Sequence, residues 1–140
     1  MGGDRITYPA ICHGSLIRII RKGVQFMYDA DKRKLLSLLS HGAIFFSTTL
    51  VSIGIPLAIL FVSDDPVVKD NAKESINFHL NVWAWGAVIV ALSFLTFGLL
   101  GFILAPAGYV LHWGLTAFAL LKVFGNPDRP FEYPFIFRVL

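Results

Sequence analysis

No charged side chain occurs between Glu74 and Lys122, a gap of 47 residues. A second gap runs from Leu35 to Ser63. Charge is scarce overall: 15% of the chain is Asp, Glu, Lys or Arg, against about 25% in soluble domains. Cysteine is rarer still. Cys12 stands alone, which excludes an intrachain disulfide and a thiolate cluster. Also missing are a nucleotide-binding glycine loop, a zinc-protease motif and an EF-hand loop. No nucleophile is arranged beside a base, so an enzyme is not expected. The net charge of +3 comes without an arginine-rich helix or a nucleic-acid motif, and no nucleic acid partner is expected.

What is present is apolar. Hydrophobic residues make up 56% of the chain, 13 of them phenylalanine, and the mean hydropathy is +0.68. A water-soluble core of this size could not hide so much apolar surface. A bilayer removes that problem. Its hydrocarbon layer is about 30 Å thick, so a helical crossing takes about 20 apolar residues. Residues 75–121 then hold two crossings joined by a tight turn. Residues 35–62 hold one more. The expected fold is all-α and polytopic: three transmembrane helices over about 35–62, 78–97 and 102–123, a kinked first helix, and an extended aromatic tail over 124–140.

Gly54-Ile-Pro56 predicts the kink, because Pro56 lacks a donor for the carbonyl one turn back. Asp64 or Asp65 can cap the next helix, with Pro66 at its first position. Trp83 and Trp85 suit the headgroup level at the start of the second span. The turn after it carries no charge and falls somewhere within 97–107. In the tail, Phe131, Tyr133, Phe135 and Phe137 alternate, which suits an extended segment with its aromatic side on the membrane interface. A docking strand for a partner protein is the other reading of it.

Lys and Arg cluster before the first span (Arg5, Arg18, Arg21, Lys22, Lys32, Arg33, Lys34). The bias predicts a multi-pass membrane protein with its N-terminus on the cytoplasmic side. With three spans, the loop after the first and the C-terminus both lie across from the N-terminal flank. Residues 1–26 read as an extension outside the native protein, and 27–140 as one membrane domain. Within the extension, 15–22 could form a short amphipathic element, framed by Pro9 and Gly23.

Polar groups near the spans are the functional candidates. Glu74, Asn77 and Asn81 recur at helical spacing, and His79 lies among them. This polar face, Glu74, Asn77, His79 and Asn81, serves packing or lines a passage. Intramembrane histidines draw notice as well. In an up-down bundle His41 and His79 fall at opposite faces and His112 mid-span, which disfavours a three-histidine site. No metal, haem or other cofactor is expected. The partners expected are the lipid bilayer and either further copies or a larger membrane complex.

Three stretches carry a resemblance: Asp65-Pro-Val-Val-Lys-Asp-Asn-Ala-Lys-Glu-Ser-Ile-Asn-Phe-His79, Glu132-Tyr-Pro-Phe-Ile-Phe-Arg138 and Asp31-Lys-Arg-Lys-Leu-Leu-Ser-Leu-Leu-Ser-His-Gly42. From Met27 to Leu140 the chain resembles a family of small bacterial membrane proteins of uncharacterised function. Several members are distantly similar to the channel component of the chloroplast inner-envelope translocon. The resemblance implies three helices and no cofactor. The distant link implies a part in protein import. His79 stands where many relatives carry glutamine. Because the likeness begins at Met27, mass spectrometry of the native N-terminus is expected to find Met27 first. A mature chain starting upstream would refute the extension reading.

Overall fold

The computed structural model describes residues 29–45 and 50–140. The readings of Cys12 and of residues 1–26 lie outside them. The described residues form four α-helices and one short 3-10 turn.

Helix α1 spans Ala30–Gly42. Asp29 caps it, its carboxylate accepting the N–H groups of Asp31 and Lys32 and so satisfying donors with no partner inside the helix. Its buried residues are Arg33, Ser37, Ser40 and His41, while Leu35 and Leu39 face outward. This is the reverse of a water-facing amphipathic helix. After the turn Ala43–Phe45, helix α2 spans Leu50–Val62.

The first apolar run is bent and forms two helices, α1 and α2. Helix α2 continues through Gly54 and Pro56, and neighbouring residues bury Pro56. Helices α1 and α2 lie side by side. The start of one adjoins the end of the other. Asp29, Lys32, Arg33 and Leu36 from the start of α1 line one cavity with Ala58, Ile59 and Val62 from the end of α2. Leu36 also packs beside the buried cluster of Ile59, Val68 and Ala72. The run 35–62 is therefore bent, and its end returns to the end of the molecule where it began.

Helix α3, Pro66–Leu95, and helix α4, Leu99–Gly125, are the two membrane-spanning helices, long and apolar enough to cross. At 1.5 Å per residue they are about 45 Å and about 40 Å long. Asp65 caps α3, accepting the N–H of Val67 at 2.9 Å, with Pro66 at the first position. The uncharged turn lies at Thr96–Gly98. Phe97 (φ 50°) and Gly98 (φ 91°) are left-handed, a conformation that costs little only at glycine. The Gly98 N–H closes back on the Ser93 carbonyl at 2.7 Å, as in a Schellman cap. The Thr96 hydroxyl donates to Leu92 O and accepts the N–H of Leu100. The turn thus satisfies many of its own backbone groups without water, as hydrocarbon demands. Phe94, Phe97 and Phe102 stand exposed around it.

The packed half of the molecule is the other end. There α1, α2 and the N-terminal half of α3 meet the end of α4 and the tail. One apolar cluster joins Ile44, Phe78, Ala119, Val123, Phe131 and Tyr133. Close approach of α3 and α4 near the turn rests on Gly101, where a Cβ would run into the Ser93 side chain. Gly101→Leu is therefore expected to destabilise the helical hairpin by about 1–3 kcal/mol through overpacking. Gly101→Ala with Ser93→Gly should recover most of the loss. Thermal unfolding of the detergent-solubilised protein checks both.

Candidate functional site

One face of α3 carries Asn71, Glu74, Asn77 and Asn81, all buried. Their spacing of three or four residues keeps them in one row. The C-terminal tail lies along this row and gives it its backbone N–H groups. Asn71 Oδ1 accepts from Phe131 N at 3.0 Å and Glu74 Oε2 from Tyr133 N at 3.2 Å. Asn77 Oδ1 accepts from Val139 N at 2.9 Å and from Leu140 N at 3.1 Å. Asn81 pairs with Phe137 in both senses: Oδ1 accepts its N–H at 3.0 Å and Nδ2 donates to its carbonyl at 2.7 Å. A side-chain amide presents the same donor and acceptor as a peptide group. The row thus does for the tail what a neighbouring strand does in a sheet. Three prolines between Gly125 and Phe135 rule out a continuous helix for the tail, so its polar backbone needs such partners.

Asn71 is also the meeting point of α1. Its Nδ2 donates to Val67 O at 2.9 Å and to Ser37 Oγ at 3.2 Å, which fixes the amide's orientation. Its Oδ1 therefore faces His41, so His41 Nε2 carries the proton and donates at 3.0 Å. The remaining nitrogen, Nδ1, accepts from the Tyr133 hydroxyl at 3.1 Å. His41 lies outside the two membrane-spanning helices, and burial pushes its imidazole down to about 4, keeping the ring neutral in this role. Ser75 Oγ donates to Ser40 O at 2.7 Å, satisfying a carbonyl in the last turn of α1. The small, fully buried Ser37 and Ser40 let α1 come close to α3.

Arg33 closes the charged end. Its Nε donates to Asp65 Oδ2 and its Nη1 to Asp128 Oδ1, both at 2.6 Å. One guanidinium holds α1, the cap of α3 and the tail. Asp29, the loop at 63–65 and Asp128 therefore share one end of the molecule. This corrects the expectation that the loop and the C-terminus lie across from the N-terminal flank. Within the row, Arg138 pairs with Glu74 through Nε and donates to Tyr133 O. Lys34 stacks over Phe124 at 3.6 Å.

Of the four candidate residues, the structure brings Glu74, Asn77 and Asn81 together on the tail. His79 is placed apart. Its Nδ1 bonds the carbonyl of Ser75 in its own helix at 2.7 Å, and its ring lies beside Phe78. Five positions after Glu74, it is turned away from the row. The expectation for the histidines changes too. His41 and His79 share the packed half instead of opposite faces: Phe78 stacks on Tyr133, the partner of His41, at 4.1 Å and on His112 at 5.4 Å. The reversal of the first run is the reason. Among the described residues no group of three or more His, Cys, Asp or Glu could hold a metal ion. In the tail, Phe131 and Tyr133 point inward and Phe135 and Phe137 outward, so the four aromatics do not share one side.

Sequence reasoning missed Asn71, His41, Tyr133, Arg33 and Asp128 as members of the site. The signal for Asn71 was present, three residues before Glu74 in the same row. Nothing in the spacing announces that Arg33 reaches Asp128.

A long, largely apolar helical pair with a polar row gripping its own C-terminal segment defines a multi-pass, all-α membrane protein. The chain belongs to the magnetosome magnetite crystal formation protein family, whose profile matches residues 32–140. That description names crystal formation and no reaction, and it lends nothing to the link with the chloroplast translocon. No curated protein and no solved structure matches the chain.

The row makes a graded prediction. Asn77→Ala removes the acceptor shared by the N–H groups of Val139 and Leu140, at about 0.5–1.5 kcal/mol for each bond lost. Hydrogen exchange at Phe137–Leu140 is expected to rise in this variant while α4 stays protected. Asn81→Leu, which removes both the acceptor of the Phe137 N–H and the donor to its carbonyl, should free Phe137 as well. Unchanged exchange in both variants would mean that the row does not hold the tail.

Proposed function

We propose that this chain is a structural or accessory membrane protein that acts through helix packing, with further copies or within a larger membrane complex. The observation that carries this is the contrast between its halves. One half is locked by buried polar contacts, whereas the α3–α4 hairpin beyond it exposes uncharged, apolar side chains over most of its length. Such a surface suits lipid and other helices and offers no chemistry. The crossings are two, α3 and α4, with α1 and α2 forming a helical pair on one side. Trp83, Trp85, Tyr109 and Trp113 are the amphipathic rings at the margin of the packed half. The exposed Phe135 and Phe137 anchor the tail to the membrane interface.

The side follows from charge. Lys32, Arg33, Lys34, Lys69, Lys73, Lys122, Arg129 and Arg138 all belong to the packed end, which by the positive-inside rule is cytoplasmic in a bacterial inner or thylakoid-type membrane. A role in crystal formation, as in the family's description, would be exerted by this charged end, because the rest of the surface has no group to meet an aqueous ion. The alternative of a translocation or solute pore needs Glu74, Asn77 and Asn81 as its lining. Those groups are engaged with the tail, which favours the packing role.

Single-cysteine labelling tests the topology. In a Cys12→Ser background, Asp31→Cys and Asp70→Cys are expected to react with a membrane-impermeant maleimide from the same side, and Phe97→Cys not from that side. Reaction of Asp31→Cys and Asp70→Cys from opposite sides would restore a third crossing and sink the two-span reading. Co-purification from native membranes in mild detergent would then name the complex.

A further inference from the structure

Among the described residues between Leu35 and Val62, every polar side chain is buried: Ser37, Ser40, His41 and Ser52. What faces outward is apolar. Leu35 and Leu39 form one exposed stripe on α1, and Leu57 and Phe61 another on α2, each pair four residues apart. Gly54 and Ala58 extend the second stripe. A helix pair in water carries the opposite arrangement. At 13 residues α2 is too short to cross a bilayer, but that length suits a re-entrant segment.

The charges set the level of this outer face. Arg33 joins Asp65 and Asp128, and Lys34 lies over Phe124 near the end of α4. The start of α1, the start of α3 and the end of α4 therefore share one charged margin. From that margin α1 runs down beside α4, and Phe45 packs on Trp113 at 4.9 Å. The outer face of α1 thus continues the exposed apolar surface of α4, to which Val110, Leu121 and Phe124 belong. From Lys34 to Phe45 the descent is about 16 Å at 1.5 Å per residue, against a hydrocarbon layer of about 30 Å. That depth reaches about halfway. Inside, the Ser40 hydroxyl returns to Leu36 O and the Ser75 hydroxyl to Ser40 O, as a place without water requires.

We infer that α1 and α2 form a re-entrant pair, immersed in the leaflet next to the charged end. Their outward stripes are a binding surface for the acyl chains of that leaflet, while Lys32, Lys34 and Asp64 stay among the headgroups. The inference rests on the membrane-embedded reading above. It goes beyond that reading by taking the pair from the membrane surface into the lipid.

The test uses the full chain in vesicles of equal parts phosphatidylcholine and phosphatidylglycerol. In a Cys12→Ser background, a nitroxide label is placed in turn at Leu35→Cys, Leu39→Cys, Leu57→Cys and Phe61→Cys. Asp31→Cys is the water reference and Val90→Cys, on α3, the lipid reference. All six positions are exposed, so the labels leave the packing intact. Electron paramagnetic resonance then reads collision with oxygen, which enters hydrocarbon, and with a polar nickel chelate, which does not. Labels at Leu39 and Leu57 should lose the nickel collision and keep the oxygen collision, as at Val90. Labels at Leu35 and Phe61, nearer the margin, should fall between the two references. Nickel collision at Leu39 and Leu57 equal to that at Asp31 would put the pair in water and overturn the proposal. Loss of both collisions there would overturn it too, because protein, such as a second copy, would then cover the face. Nickel collision at Val90 would instead refute the membrane reading itself.

Discussion

The structure turns on one side chain, Asn71. It is fully buried, and its amide meets α1 through Ser37 and His41, its own helix through Val67, and the tail through Phe131. Each partner uses a different atom or lone pair, so the amide has one orientation, and that orientation sets the proton on His41. His41 in turn receives the Tyr133 hydroxyl. Removing the amide would leave polar groups from three segments buried without partners. The cost of such orphans exceeds the net gain from making the bonds, and this asymmetry fixes the packing.

A wider constraint lies behind it. Backbone N–H and C=O groups in apolar surroundings must be bonded within the protein. The helices meet this demand internally. The turn at Thr96–Gly98 meets much of it with a left-handed cap and a threonine hydroxyl. The proline-broken tail cannot form a helix, and it meets the demand by borrowing the side chains of α3. The polar row is thus the counterpart of the tail's prolines. Arg33 then ties the outer end of the same assembly, buried against Asp65 while Asp128 stands open to water.

Much of this was legible before any coordinates. The uncharged run from Ser75 to Leu121 implies two adjacent crossings, because its length is twice a bilayer's need. Asp65 and Pro66 mark a helix start by their chemistry, and the i, i+3, i+7 spacing of Glu74, Asn77 and Asn81 marks a shared face. His79 was grouped with them by proximity in sequence, although helical rotation sends it elsewhere. The reversal of the first run was not legible. Twenty-eight uncharged residues suit one bent crossing by length, and Pro56 is the obvious place for a bend. Proline inside a helix is tolerated where packing covers it, and here it does.

The sequence alone determined the membrane setting, the two long helices and which residues could serve as polar contacts, since these follow from local composition and periodicity. Tertiary structure decided what those contacts are for. Whether Glu74, Asn77 and Asn81 face a passage, a partner or the chain's own end depends on where residues some 60 positions away come to rest. Whether Leu35–Val62 crosses or returns depends on Arg33 finding Asp65 and Asp128. Long-range pairings of this kind leave no periodic trace, because each depends on a loop closure and not on a local conformation.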